Sequence, residues 1–296
     1  MIGIRRITRL AKNTKLMYSK TMKPGLVELF GIICGEQEEK PLFLRGNGGG
    51  QGDLFEVGTA LEKPGFEYAE ADIDLISALH SASSVNFSAL PPHMHYFYEL
   101  SLNAFQAIVH AWMSELHITA EIIGFGRKIL AAVCAVAHEA ASPNGEAMRQ
   151  AAERAGLDRG DPVVFAVQAA AFKTWREIDR LRGLLRFSPD EDGVYRAFCE
   201  PDHFVLPALG PHFRERFGVT PWIVIDNRRR LCLHCEQGQV PTLSGMGKSQ
   251  AFSGLGGEWE ELWRRYHKSI NNESRNKADL QRSFMPQRYW KYLTEM

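Results

Sequence analysis

The chain has 296 residues, 45% of them apolar and 24% charged, a balance typical of globular proteins and sufficient for one large or two ordinary domains. Its 35 basic residues offset its 35 acidic ones, which excludes a global field drawing the whole molecule to nucleic acid or anionic lipid, so any such attraction is local. No apolar stretch approaches the roughly 20 residues of a membrane span, and five scattered cysteines without a secretory leader point to a reducing cytosol rather than a disulfide scaffold.

In chain order, the first 24 residues hold seven Lys or Arg and no acid. A targeting segment or a phosphate-binding arm has that composition, and so does a solvated tail, which is the expectation adopted for 1–24. After the apolar stretch Leu26 to Cys34, the glycines from Gly46 to Gly52 predict a flexible loop without the Gly-Lys-Ser/Thr ending of a phosphate cradle. Residues 25–160 form a mainly helical region: Ile73, Ile76 and Leu79 recur at three-residue steps, and Ala-rich stretches follow up to about Gly183, punctuated by Pro91-Pro92, Ser142-Pro143-Asn144-Gly145 and Asp161-Pro162.

Residues 161–296 are expected to form an α+β domain. The helix from about Pro162 is predicted to bury Phe165, Ala169, Phe172, Trp175, Ile178 and Leu181 or Leu185 on one stripe, with Lys173, Arg176, Glu177 and Arg180 toward the other side. Two antiparallel hairpins should follow: Leu184 to Phe187 with Val194 to Cys199, and Pro221 to Asp226 with Leu231 to Cys235 around Asn227-Arg228-Arg229-Arg230. A helix is expected between the hairpins, from His203 to Phe217. Trp259, Leu262, Trp263, Tyr266 and Ile270 predict a strongly amphipathic helix, and Gln287 to Leu293 a shorter one.

Three groups of residues carry candidate chemistry. Glu200-Pro201-Asp202-His203, where a strand runs into a helix, supplies carboxylates and an imidazole that, with Asp226, could act as general acid and base; the alternative makes Asp202 a helix N-cap. Arg228, Arg229 and Arg230 at a hairpin tip offer phosphate contacts or a solvated turn. The last 38 residues hold three of the six tryptophans and eight Lys or Arg, and end in Phe284-Met285-Pro286-Gln287-Arg288-Tyr289-Trp290-Lys291-Tyr292. Rings interleaved with cations stack on bases and neutralise phosphates, or pin a C-terminal helix to the core. Cys232 and Cys235 have metal-pair spacing, yet an odd separation in a strand sends them to opposite faces, so neither a metal nor another cofactor is expected.

Glu200-Pro201-Asp202-His203-Phe204-Val205-Leu206-Pro207, Pro211-His212-Phe213, Pro221 to Asp226, Leu262-Trp263, Tyr266, Lys268-Ser269-Ile270 and Leu280-Gln281-Arg282 through Trp290 together resemble a bacterial family of DNA-metabolism or DNA-repair proteins encoded beside a radical-SAM protein. The family's C-terminal domain also occurs fused to uracil-DNA-glycosylase-like domains. The resemblance covers Arg176 to Glu295 most strongly. It implies DNA and a radical-SAM protein as partners, no membrane, and cytoplasmic location, without a catalytic set. It marks Arg176, Glu177, Arg180, Glu200, Asp202, His203, His212, Asp226, Arg282, Arg288, Tyr289 and Trp290. The family's Arg-Glu-x-His-Arg reads Arg176-Glu177-Ile178-Asp179-Arg180 here. The expected function is a DNA-binding accessory role; the alternatives are an enzyme using Glu200, Asp202, His203 and Asp226 on a nucleobase or phosphodiester, and a docking module for the radical-SAM protein.

Overall fold

The computed structural model describes residues 23–35, 69–81, 90–139, 145–247 and 257–272, and of the C-terminal stretch 277, 279, 282 and 284–294. The basic start before Lys23, the Gly46 to Gly52 loop and residues 248–256 lie outside the described residues. The fold is α+β. It divides into two compact units, residues 1–72, 86–112 and 116–172, and residues 73–85, 113–115 and 173–296.

The first unit is helical: α1 (Leu26–Cys34), the first turn of α2 (Glu70–Leu79), α3 (Pro92–Leu100), α4 (Leu102–Met113), α5 (Thr119–Glu139), α6 (Gly145–Leu157) and the first half of α7 (Pro162–Leu184). Its core centres on Phe30, fully buried, with its ring 4.8 Å from Phe105 in a stacked pair and 5.6 Å from Phe97 edge-on. Helices α1 and α5 approach closely because residue 126 is glycine; a Cβ there would lie 2.6 Å from Ile33 Cγ2. Asp161 caps α7, its Oδ1 accepting from the Val163 and Val164 amides at 2.8 and 3.2 Å.

The buried stripe of α7 runs through Val164, Val167, Ala171, Thr174, Ile178 and Leu181, with Glu177 beside it. Phe165, Phe172 and Trp175, expected inside, are about half exposed. Ile178, Leu181 and Leu185 are buried as expected, but in the first part of the helix the buried positions fall one residue before the expected Phe165, Phe172 and Trp175, about 100° around the axis. Large rings outweigh Thr174 and Glu177 in a sum of apolarity, yet both polar residues occupy the packed face, Glu177 because its donors lie there.

The second unit carries a five-stranded mixed sheet in the order β1 (Ser188–Pro189), β2 (Tyr195–Cys199), β3 (Trp222–Asp226), β4 (Leu231–Cys235) and β5 (Thr242–Gly245). The β3–β4 hairpin forms as expected. The first hairpin does not start at Leu184: α7 continues through that residue, the Leu185 amide still donates to Leu181 O, and the partner of β2 is only Ser188–Pro189. The two hairpins are not separate either. β2 and β3 pair in parallel, Tyr195 opposite Trp222 and Cys199 opposite Asp226, joined by α8 (Leu206–Phe217). Helix α8 covers one sheet face, with Phe213 6.0 Å from Trp222. On the other face Ile223, Ile225 and Cys232 gather Val194, Phe198 and Met246. With both faces covered, β3 is buried along its whole length, which explains its unbroken apolar text.

Helix α9 (Glu258–Ile270) and a 3-10 helix, Gln287–Tyr292, complete the unit. Among the described residues no helix is long and apolar enough to cross a membrane.

Candidate functional site

Parallel pairing places the C-terminal ends of β2 and β3 side by side, and the Asn227 amide donates to Cys199 O at 3.0 Å across the pair. The Glu200 to His203 corner and the Asn227 to Arg230 turn therefore emerge together, where parallel strands of α/β sheets commonly present binding groups. The sequence offered these as two separate candidates. The connection through α8 makes them neighbours.

Two buried carboxylates hold this corner. Glu177 accepts at Oε1 from the Asp202 amide (2.9 Å), Arg288 Nη2 (2.7 Å) and the Tyr289 hydroxyl (2.5 Å), and at Oε2 from the His203 amide (2.8 Å). Asp226 Oδ1 accepts from the amides of Arg228 and Arg229, while Oδ2 accepts from Arg229 Nη1 at 2.9 Å. Burial pushes the Asp226 carboxyl up, against the pull of Arg229. Arg229 itself is not a hairpin-tip cation. Its side chain is 9% exposed and also donates to Glu115 Oε1 (2.7 Å), Pro201 O and Asp202 O, locking the turn to the corner.

The outer layer is more open. Asp202 is shared by two guanidiniums, Arg228 Nη1 at 3.2 Å and Arg288 Nη1. It does not cap α8, whose N-cap position is Val205. Glu200 accepts from the Tyr292 hydroxyl and Lys291 Nζ, each at 2.8 Å, and Tyr292 in turn accepts from Asn227 Nδ2 at 2.9 Å. Burial works to raise the Glu200 carboxyl, but Lys291 and Tyr292 together hold it below its ordinary value; the Tyr292 phenol is pushed up to about 12. His203 Nδ1 lies 2.7 Å from Ser114 O. A carbonyl only accepts, so Nδ1 carries the proton, and in the neutral ring Nε2 keeps its lone pair.

Of the sequence candidates, the structure brings together Glu200, Asp202, His203, Asp226, Arg228, Arg229, Arg288 and Tyr289, and leaves others aside. Tyr289 is buried, and its raised pKa follows from burial and the Glu177 charge. Its ring offers no open stacking face; it is the pin of the corner. Trp290 Nε1 donates to Met285 O at 2.9 Å, a local contact within the C-terminal segment. Arg176 is exposed and Arg180 half-buried on α7, while Arg282 pairs with Asp279. Ser114, Glu115, Asn227, Lys291 and Tyr292 belong to the network and were missed. Glu115 and Ser114 follow α4, some 90 residues before the corner they meet, and Glu115 has a positive φ of 54°. The quoted Lys291-Tyr292 ending carried a signal for the other two. Among the described residues no group of three or more His, Cys, Asp or Glu is placed to hold a metal ion.

The second unit is thus an α+β domain whose parallel strand ends carry a charged corner clamped from behind by a glutamate and a basic 3-10 helix. A family model described as a domain of unknown function, DUF4130, matches residues 138–295, more than half the chain, and the chain belongs to that family. Neither a curated protein nor a solved structure matches it.

Proposed function

We propose that the chain is a DNA-metabolism protein that contacts damaged or single-stranded DNA through its phosphate backbone at the strand-end corner, acting beside a radical-SAM enzyme. The observation that carries this reading is the arrangement of cations. Arg228 and Lys291 have side chains about half exposed, and Arg230 is exposed without an ion pair among the described residues. Arg228 stands on the β3–β4 turn and Lys291 on the 3-10 helix, each paired with a carboxylate of the corner, and Arg230 ends the same turn. Arg228 and Arg288 share one half-exposed carboxylate, so a phosphate can replace Asp202 as the acceptor of either fork. Base stacking by Tyr289 is not part of the proposal, because that ring is buried. The DNA and radical-SAM assignments draw their support from the sequence resemblance, and the exposed Leu262, Tyr266 and Ile270 on α9 suit a protein partner.

Anisotropy titration of a single-stranded oligonucleotide across a salt series tests the contact. Affinity should fall with salt, and Arg228→Gln with Arg230→Gln should lower the slope by about 2, roughly one per lost phosphate contact. Salt-independent affinity would sink the reading. A second reading, an enzyme acting on a nucleobase or phosphodiester, is favoured by the lone pair on His203 Nε2, which is set to accept a proton. His203→Asn keeps a donor toward Ser114 but removes that base, so turnover lost with binding retained would select this reading.

A further inference from the structure

The sheet ends in two unlike edges. At one, β1 is two residues long and includes Pro189, which has no N–H to offer a further strand. At the other, β5 reads Thr242-Leu243-Ser244-Gly245, without a charge or a proline, and is half-buried to exposed along its length. Edge strands are commonly protected by one of those devices, because a row of open N–H and C=O groups recruits another strand.

The register shows which groups are open. β5 pairs antiparallel with β4, Cys232 opposite Ser244 and His234 opposite Thr242, and the Met246 amide donates to Arg230 O at 2.8 Å. In an antiparallel ladder the bonded pairs alternate, so Thr242, Ser244 and Met246 turn their backbone groups inward to β4. Leu243 and Gly245 turn theirs outward, and among the described residues no backbone or side-chain group bonds to them there. The Thr242 and Ser244 hydroxyls face the ring nitrogens of His234 at 2.8 and 3.4 Å, so neither caps the edge.

We propose that β5 is a dimer edge, pairing antiparallel with β5 of a second copy about a two-fold axis at Ser244. In that register Leu243 lies opposite Gly245 of the second copy and Gly245 opposite its Leu243, and each pair exchanges both of its N–H···O bonds, which uses every open group of the two residues. Ser244 meets Ser244 of the second copy, a small neutral pair, and no like charges are brought together. A second copy is the occupant because its β5 offers open groups at the matching spacing, while its β1 edge is closed to pairing, so assembly stops at the dimer. Since β5 runs parallel to β3, the two-fold reverses β3 of the second copy, and the two strand-end corners face opposite ends of one continuous sheet. A four-residue ladder covers little area, so the dimer is weak, with a dissociation constant on the order of tens of micromolar. The pairing stands apart from the corner and does not depend on the reading given for it.

Sedimentation velocity of the full chain from about 5 to about 500 µM should show monomer passing to dimer. Gly245→Pro removes an outward N–H and leaves the bonds to β4 whole, and a Cβ at that position meets nothing within 4 Å, so the variant should fold as the wild type does and dimerise about tenfold or more weakly. Ser244→Cys tests the register independently of affinity. With the half-buried Cys34 and Cys134 replaced by serine, oxidation should link Ser244→Cys chains into disulfide dimers, since side chains directly opposite have Cβ atoms about 5 Å apart. Thr242→Cys in the same background should not link, because its two copies lie about 13 Å apart along the ladder. A chain that stays monomeric throughout the range overturns the proposal. So does a dimer that Gly245→Pro leaves unchanged, or one that links no faster through Ser244→Cys than through Thr242→Cys.

Discussion

The two units bury their central groups in opposite ways. In the first, Phe30 is surrounded by rings and aliphatic side chains, and what holds it is area removed from water and dense packing. In the second, Glu177 is equally buried but holds four donors from two chain segments, one of them more than 100 residues away. An apolar core responds to volume. A polar node responds to chemistry, because each donor left without its acceptor adds its own desolvation cost.

The sharpest way to break this comparison is a pair of graded substitutions. Phe30→Ala should cost about 3–5 kcal/mol, and Phe30→Leu much less, because leucine refills most of the space. Glu177→Ala should cost about 3 kcal/mol, the low end for a broken buried ion pair because Arg288 keeps some access to water. Glu177→Gln, nearly identical in shape, should cost almost as much, since its amide turns a donor toward donors. Urea midpoints at constant slope measure the costs. Faster hydrogen exchange at the Asp202 and His203 amides in the Gln variant would localise the damage. A Gln variant as stable as wild type would show that the node is not held by charge.

Close approach in the first unit gives the next effect. Gly126→Ala places a methyl group against Ile33 Cγ2, and overpacking of this kind costs about 1–3 kcal/mol. A thermal scan that shows no loss would mean that α1 can shift away from α5.

What the sequence revealed follows the same division. The amphipathic α9, the β3–β4 hairpin and the Glu200 to His203 corner were legible because periodicity, an apolar run and a polar cluster are local. The parallel β2–β3 pairing was not, since two strands separated by a helix look like members of two hairpins until the crossover is known. The upstream part of α7 turns Ala171 and Thr174 inward in place of Phe172 and Trp175, and the burial of Glu177 is explained only by partners distant in sequence. The same distance hid Ser114 and Glu115.

Among the described residues of the first unit, the buried acid Asp72 offers a testable titration. Asp72 Oδ1 accepts from the Val27 amide at 3.2 Å, at the start of α1, while Oδ2 is buried without a partner. Burial raises its pKa above the ordinary value near 3.8, against the amides of Leu26 and Val27. The folded chain therefore binds this proton more tightly than the unfolded one. The stabilisation is complete below about 3.8 and is lost as pH rises through the folded value. Asp72→Asn removes the titration, so its stability relative to wild type should improve across that window and level off above it. A difference between the two proteins that is independent of pH would show that Asp72 is solvated.

The smallest effect on stability bears most directly on function. Arg230 has φ +54°, in the left-handed region that favours glycine, at the end of the turn joining β3 to β4. Its side chain is exposed and makes no ion pair among the described residues, so no contact there compensates the backbone cost. Arg230→Gly should stabilise the fold by up to about 1 kcal/mol. If the exposed guanidinium contacts phosphate, the same change should weaken oligonucleotide binding and lower its salt slope by about 1. Stability gained with binding lost means that arginine occupies a glycine position for its charge. Stability gained with binding unchanged removes Arg230 from the contact surface and leaves Arg228, Arg288 and Lys291 to carry it.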